Sequence, residues 1–340
     1  DGANAVTVLS NGSIVAAGGA ANSVTVNGND GADWISANSS GGPVVVDGGA
    51  GNDTLFGGTG TPALVTVIGG DGLDWISVVA TDNAYVLGDG GLDADTAGAF
   101  ADTILVKVGG PTSALGTDSA WGAAVSDSVA GADVNGNTGN DNITVWTQDN
   151  ATVHGGKGDD NITVYADNDS GSGATYIYGD NGSDVINVRG DAFTFINGGG
   201  DTSNDTINLQ ALGSGVDTIV FGNIGYSALQ VQNLNTQGVD VINNFNFEAG
   251  PGPDTAAPGQ DDVLDFSAFL VGNSTDDFQP GGGSGNGLKY ADWTSGTTTL
   301  DMDNWTLFGG AAVDSKVAII TVGTDFSAQD LRDAISLDWE

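Results

Sequence analysis

Aspartates stand at the exits of a series of glycine-rich turns, and their spacing is the chemistry most open to reading in this chain. In the stretch from His154 to Val164, Gly155, Gly156 and Gly158 lead to Asp160 and then Ile162, a Gly-Gly-x-Gly-x-Asp-x-Ile pattern. The pattern returns as Gly48, Gly49, Gly51, Asp53, Leu55 and as Gly69, Gly70, Gly72, Asp74, Ile76. Looser copies surround Asp33, Asp93, Asp141, Asp184 and Asp205, while Asp217 and Asp240 keep only Gly-x-Asp-x-Ile. Glycine tolerates positive φ, so such a turn curls tightly and points carbonyl oxygens inward. The aspartate adds a hard anionic oxygen, and the Leu or Ile two residues later plugs an apolar interior. Carbonyl and carboxylate oxygens, roughly six to eight per ion, are the ligands of calcium.

The candidate calcium ligands are therefore Asp33, Asp53, Asp74, Asp93, Asp141, Asp160, Asp184, Asp205 and Asp217. Their turn partners are Gly49, Gly51, Gly70, Gly72, Gly91, Gly139, Gly156, Gly158 and Gly182. Asp30, Asp71, Asp89, Asp159, Asp180 and Asp201 fall inside or beside the same turns. Stacked carboxylates at a strand spacing of about 4.8 Å repel one another unless a cation lies between them. These turns resemble the RTX calcium repeat of parallel β-rolls, over roughly residues 27–245. The resemblance implies several calcium ions, each shared between two neighbouring turns. It also implies export by type I secretion, read from a C-terminal signal.

The elements that would carry the turns follow from the period. The aspartates at 33, 53, 74 and 93 are 20, 21 and 19 residues apart, and those at 141, 160, 184 and 205 are 19, 24 and 21 apart. A period near 20 is one coil of two strands and two turns. Side chains alternate along a strand, which assigns Ile35 and Ala37, Ile76 and Val78, Ile143 and Val145, Ile162 and Val164, and Ile186 and Val188 to the interior. On the returning strand the same place goes to Val44 and Val46, Val65 and Val67, Ala84 and Val86, Ala151 and Val153, Thr175 and Ile177, and Thr194 and Ile196. The expected fold is all-β: a right-handed parallel β-roll, or β-solenoid, ending in a less repetitive β-rich region. Residues 1–26 read as a first coil without an acidic turn, 27–245 as the roll, and 246–340 as a capping, assembly or secretion region. Asp93 and Asp141 are 48 residues apart, so one coil carries an insertion, about 107–131, on the side away from the glycine turns. Residues 249–260, rich in Pro, Gly and Asp, read as a hinge, and Ser327 as the N-cap of a short amphipathic helix running toward Trp339.

Composition excludes more than it selects. The chain has 340 residues, 44 acidic against 6 basic, and a formal net charge of −38. Nucleic acid is excluded as a partner, because phosphate neutralisation needs Lys and Arg. There is no run of 18 apolar residues, so no transmembrane helix and no membrane insertion is expected. The chain has no cysteine, which leaves calcium in the stapling role of disulfides and suits a secreted, extracellular protein at a cell surface. Asp1 follows no leader, which reads as a processed chain or a fragment. His154 is the only histidine and stands at an outward position; no HExxH, nucleophile elbow or phosphate loop occurs. No enzymatic activity is expected.

Outward aromatics are the candidate assembly contacts: Trp34, Trp75, Tyr85, Trp146, Tyr165, Tyr176, Tyr178 and Phe195, with Trp121 in the insertion. Exposed aromatic patches mark interaction surfaces. The chain also resembles RTX-containing surface-layer proteins of Gram-negative bacteria. That likeness implies a self-assembling subunit of a surface layer or matrix filament, with other copies of itself and cell-surface polysaccharide as partners. Two other readings stand beside it: an adhesin or ice- or glycan-binding module of a larger RTX protein, and the secretion domain of an RTX hydrolase.

Overall fold

The computed structural model describes residues 6–9, 12–19, 22–60, 62–89, 101–109, 131–148, 150–166, 174–190, 193–199, 203–209, 217–220, 240–243, 263–265, 287–294, 297–305, 313–321 and 335–336. The fold is a parallel β-solenoid of about seven turns, without helix among the described residues. Two compact units divide the chain, 1–177 and 178–340, and the boundary falls within β15 (Ala174–Asn181).

In the first unit, odd- and even-numbered strands form two parallel sheets. The odd sheet runs β1 (Val6–Leu9), β3 (Val24–Asn27), β5 (Val44–Ala50), β7 (Leu64–Asp71), β9 (Asn83–Leu87), β11 (Gly131–Thr138) and β13 (Asn150–Lys157). The even sheet runs β2 (Ser13–Gly18), β4 (Trp34–Ser39), β6 (Thr54–Thr59), β8 (Trp75–Ala80), β10 (Thr103–Val108), β12 (Asn142–Thr147) and β14 (Asn161–Ala166). Each chain turn contributes one strand to each sheet, which is why strands pair with their second neighbours in sequence. β1 and β2 pair in register with β3 and β4.

Two aliphatic columns fill the space between the sheets. Ile35, Leu55, Ile76, Ile104, Ile143 and Ile162 are in register along the even sheet. Val46, Val67, Val86, Val134 and Val153 do the same along the odd sheet, and all eleven are fully buried. Burial of each such side chain stabilises by about 1.5–3 kcal/mol. A one-residue slip would turn each column outward, so the interior fixes the register. The interior positions assigned by alternation are all buried.

The second unit places β16 (Val185–Gly190), β18 (Thr206–Asn208) and β20 (Asp240–Asn243) in one sheet, and β17 (Phe193–Gly199), β19 (Asp217–Val220) and β21 (Val263–Asp265) in the other. Beyond β20 the even sheet changes direction. β24 (Val313–Thr321) pairs parallel with β20, then antiparallel with β23 (Thr297–Trp305), which pairs antiparallel with β22 (Gly287–Thr294). Asn187, Asn208 and Asn243 form a side-chain amide ladder across this sheet, at 2.9 and 2.8 Å.

The long connection expected on the side away from the glycine turns joins β10 to β11, which begin at Thr103 and Gly131. Trp121, the hinge at 249–260 and the helix proposed from Ser327 lie outside the described residues.

Candidate metal centre

Each standard glycine turn spans six residues from the end of an odd strand to its aspartate, as from Gly48 to Asp53 or Gly136 to Asp141. The second position demands left-handed backbone: φ is +99° at Gly49, +108° at Gly70 and +113° at Gly156. Asn29, Asn137 and Asp180 hold the same position at 71°, 73° and 72°, and Asn and Asp are the side chains that tolerate it best. The turns are knit to one another by backbone bonds. Gly31, Gly51 and Gly139 donate to the carbonyls of Ala50, Asp71 and Lys157 at 2.6, 2.7 and 2.7 Å.

The aspartates behind these turns form a ladder. Asp33 N–H donates to Asp53 Oδ1 at 2.7 Å, Asp53 to Asp74 at 2.8 Å and Asp74 to Asp102 at 2.8 Å. Asp102 donates to Asp141 and Asp141 to Asp160, both at 2.7 Å, and Gly12 N–H donates to Asp33 at the near end. In the second unit Asp184 donates to Asp205 at 2.9 Å and Asp205 to Asp240 at 3.1 Å. All of these aspartates are buried. One carboxylate oxygen is thus engaged, while Oδ2 of Asp33, Asp53, Asp74, Asp102 and Asp141 is buried with no hydrogen-bond partner.

The bare oxygen has a defined neighbour. A Cβ on Gly48 would lie 2.4 Å from Asp53 Oδ2 and 2.3 Å from the carbonyl oxygen of Gly69 in the next coil. The same pair of oxygens closes on Gly28 (Asp33 Oδ2, Gly48 O), Gly69 (Asp74 Oδ2, Gly88 O) and Gly136 (Asp141 Oδ2, Gly155 O). A carboxylate oxygen and a peptide oxygen therefore stand together on the same side of each of these glycines.

The electrostatic consequence is a set of reluctant acids. Burial pushes Asp53 up to about 6, Asp74 to about 7, Asp141 to about 8 and Asp102 to about 9. The amide each one accepts pulls it back, and the neighbouring carboxylates push it further up. The site's chemistry is that of a column of hard oxygens lacking positive charge. Among the described residues no three His, Cys, Asp or Glu side chains cluster as a ligand set, so an ion here must draw on backbone carbonyls. The turns supply them at every coil.

Two rungs fall outside the candidate set. Asp102 is the ladder rung between Asp74 and Asp141. Its Ile104 and Val106 pair with Ile76 and Val78 of β8, so more residues separate Gly88 from Asp102 than separate Gly48 from Asp53. Asp217 opens β19 in the odd sheet, where Thr194 Oγ1 donates to it, and burial raises its pKa to about 6; the rung after Asp205 is Asp240. The signal for both missed rungs was in the sequence: Asp-x-Ile-x-Val at 102–106 and Asp-x-Ile at 240–242.

The accessory acids divide. Asp30, Asp71 and Asp159 are exposed on the turns. Asp89 accepts from Thr138 Oγ1 at 2.6 Å and Thr138 N–H at 3.1 Å in the following coil, and burial raises its pKa. Gly91, Asp93 and Asp201 lie outside the described residues. The outward aromatics separate onto two sheets: Trp34, Trp75, Trp146 and Tyr165 on the even one, Tyr85, Tyr176, Tyr178 and Phe195 on odd-numbered strands. Compared with known proteins, the chain matches no family model, no curated protein and no solved structure.

Proposed function

We propose that this chain is a calcium-folded structural β-roll of the RTX kind, which assembles with copies of itself outside the cell as a surface-layer or matrix-filament subunit. The observation that carries the metal half is the column of five buried, unpartnered Oδ2 atoms, each beside a glycine carbonyl where the turn is standard. Calcium accepts mixed carbonyl and carboxylate oxygens in flexible geometry, and its charge would offset the desolvation that raises these aspartates. Folding and metal binding would then be one event.

The assembly half rests on the outward aromatics, with Trp34 and Tyr85 41% and 38% exposed on opposite sheets. A roll with aromatics on both of its sheets offers contacts that propagate. Sedimentation velocity of the pure chain, first in EGTA and then in roughly millimolar calcium, tests both halves. The expected result is a slow, expanded species in EGTA and very large assemblies in calcium. A compact monomer in calcium would retain the metal and remove self-assembly, and identical profiles in both would remove calcium as well.

A further inference from the structure

The acids of this chain are not spread evenly. Across the seven strands of the even sheet in the first unit, β2 to β14, no position is Asp or Glu, although the chain has 44 acids. The only charged side chain on these strands is Lys107, 9% exposed. An uncharged strip therefore runs along a polyanion.

That strip carries ring platforms set in polar rows. Phe56 on β6 lies between Trp34 on β4 and Trp75 on β8, with ring centroids 5.5 and 5.1 Å apart. The three rings span two strand spacings, about 9.6 Å. At the other end of the face Trp146 and Tyr165 stack at 5.3 Å with an interplanar angle of 4°. On the platforms' own strands the other outward positions include Ser36, Asn38, Ser77, Thr144 and Thr163, and β10 between the platforms presents Thr103, Leu105 and Lys107. Beside the Trp34 platform lies an open groove of about 500 Å³, lined by Ala17, Asn38, Thr59 and Val79 and deepened where Gly58 has no side chain.

We propose that this face binds an uncharged polysaccharide, seated on Trp34, Phe56 and Trp75 with its edge in the Gly58 groove. Sugar rings present apolar C–H faces that stack on aromatics, and equatorial hydroxyls that pair with hydroxyl and amide side chains. Both kinds of partner alternate here. An anionic polymer meets the field of a chain at −38. A purely apolar ligand would strand the hydroxyls and amides, at about 1–3 kcal/mol for each one buried unpaired. The face, about 29 by 20 Å, offers roughly 600 Å², short of the roughly 800 Å² per partner of a stable interface, so a contact between copies would have to draw on the odd sheet as well, whereas a sugar chain needs only this face. The proposal needs the folded roll but not self-assembly.

The test is retention of the full chain, in roughly millimolar calcium, by cellulose, chitin and mannan, with alginate as the anionic control. At least one uncharged polysaccharide should retain it, equally at about 0.1 and about 1 M NaCl. Trp34→Ala with Trp75→Ala should weaken that binding about tenfold, while Leu64→Ala at an exposed position of the odd sheet leaves it unchanged. Circular dichroism of each variant separates loss of the fold from loss of the ligand. If the double variant does not fold, Gly58→Val serves instead: its Cβ meets only the Asn38 side chain at 2.5 Å and the Val79 carbonyl at 3.6 Å, so it fills the groove and should weaken binding about threefold. Retention by alginate alone, by none of the four, or equally by wild type and variant overturns the proposal. So does a change in sedimentation of the ligand-free variant without any change in polysaccharide binding, which would make the face a contact between copies.

Discussion

A buried carboxylate with one oxygen bonded and the other bare holds its proton, and this gives the calcium-free chain an unusual pH dependence. In the unfolded chain these aspartates ionise near 3.8, whereas in the folded ladder Asp53, Asp74, Asp141 and Asp102 hold protons until about 6, 7, 8 and 9. Through that window the unfolded state binds fewer protons, so stability falls as pH rises. The stabilising share is fully present below 3.8 and is lost as pH climbs through the folded values. The strand signal in the far-ultraviolet in EGTA should therefore be larger at about pH 5, where the protons stand in for the metal, than at about pH 8.5, where the calcium-free chain is unfolded. Calcium should reverse the order, since the metal takes the place of the protons; a strand signal that grows with pH in EGTA would contradict the buried ladder. The sequence made most of these rungs legible, because an aspartate two residues before a core Ile must follow that Ile into the sheet. Even spacing pointed to Asp93 and passed over Asp102. Loop length is cheap to vary, so spacing was the weaker guide, and the Ile104–Val106 alternation placed Asp102 instead.

The glycine turns act at the scale of elements, and their first position is the least forgiving. At Gly48 a methyl group would meet the Gly69 carbonyl at 2.3 Å and Asp53 Oδ2 at 2.4 Å, a peptide and a pinned side chain. On the opposite turn a methyl group at Gly60 meets nothing within 4 Å. Gly48→Ala should therefore lower the thermal midpoint in calcium by about 3 to 10 °C, through an overpacking cost of about 1–3 kcal/mol. Gly60→Ala should shift it by about a degree or less. Equal shifts would mean that the coils do not approach as closely as the ladder requires. This role of the first glycine was hidden from the sequence, since a single repeat shows the need for a turn but not what the next coil brings against it. The second position was readable, because Gly, Asn and Asp alternate there for a reason internal to the residue, the left-handed φ.

For the whole molecule, the division of labour between turns and strands decides what a cation must do. The fold class was legible because a period near 20 and an inner alternation of Ile and Val leave few other solutions. The acid-free run of even strands in the first unit was not legible, because it emerges only when strands far apart in sequence are laid side by side. With no acid on the even strands of the first unit and a net charge of −38, salt could act in two ways. It could screen repulsion between exposed turns, or enter the buried column. Screening reaches the first: the Debye length is about 3 Å at 1 M. It reaches the second poorly, since the Oδ2 atoms are buried and stacked at about 4.8 Å. Sodium chloride at about 1 M in EGTA should therefore leave the far-ultraviolet spectrum unfolded, while roughly millimolar calcium brings up the strand signal. Magnesium at the same concentration should fail as well. It keeps its waters and demands near-octahedral geometry at about 2.0–2.1 Å, which a column of peptide and carboxylate oxygens between closely packed coils does not provide. Folding by sodium chloride alone would reduce the ladder to a matter of bulk charge, and folding by magnesium would mean that the oxygens lie at a hydrated, open site.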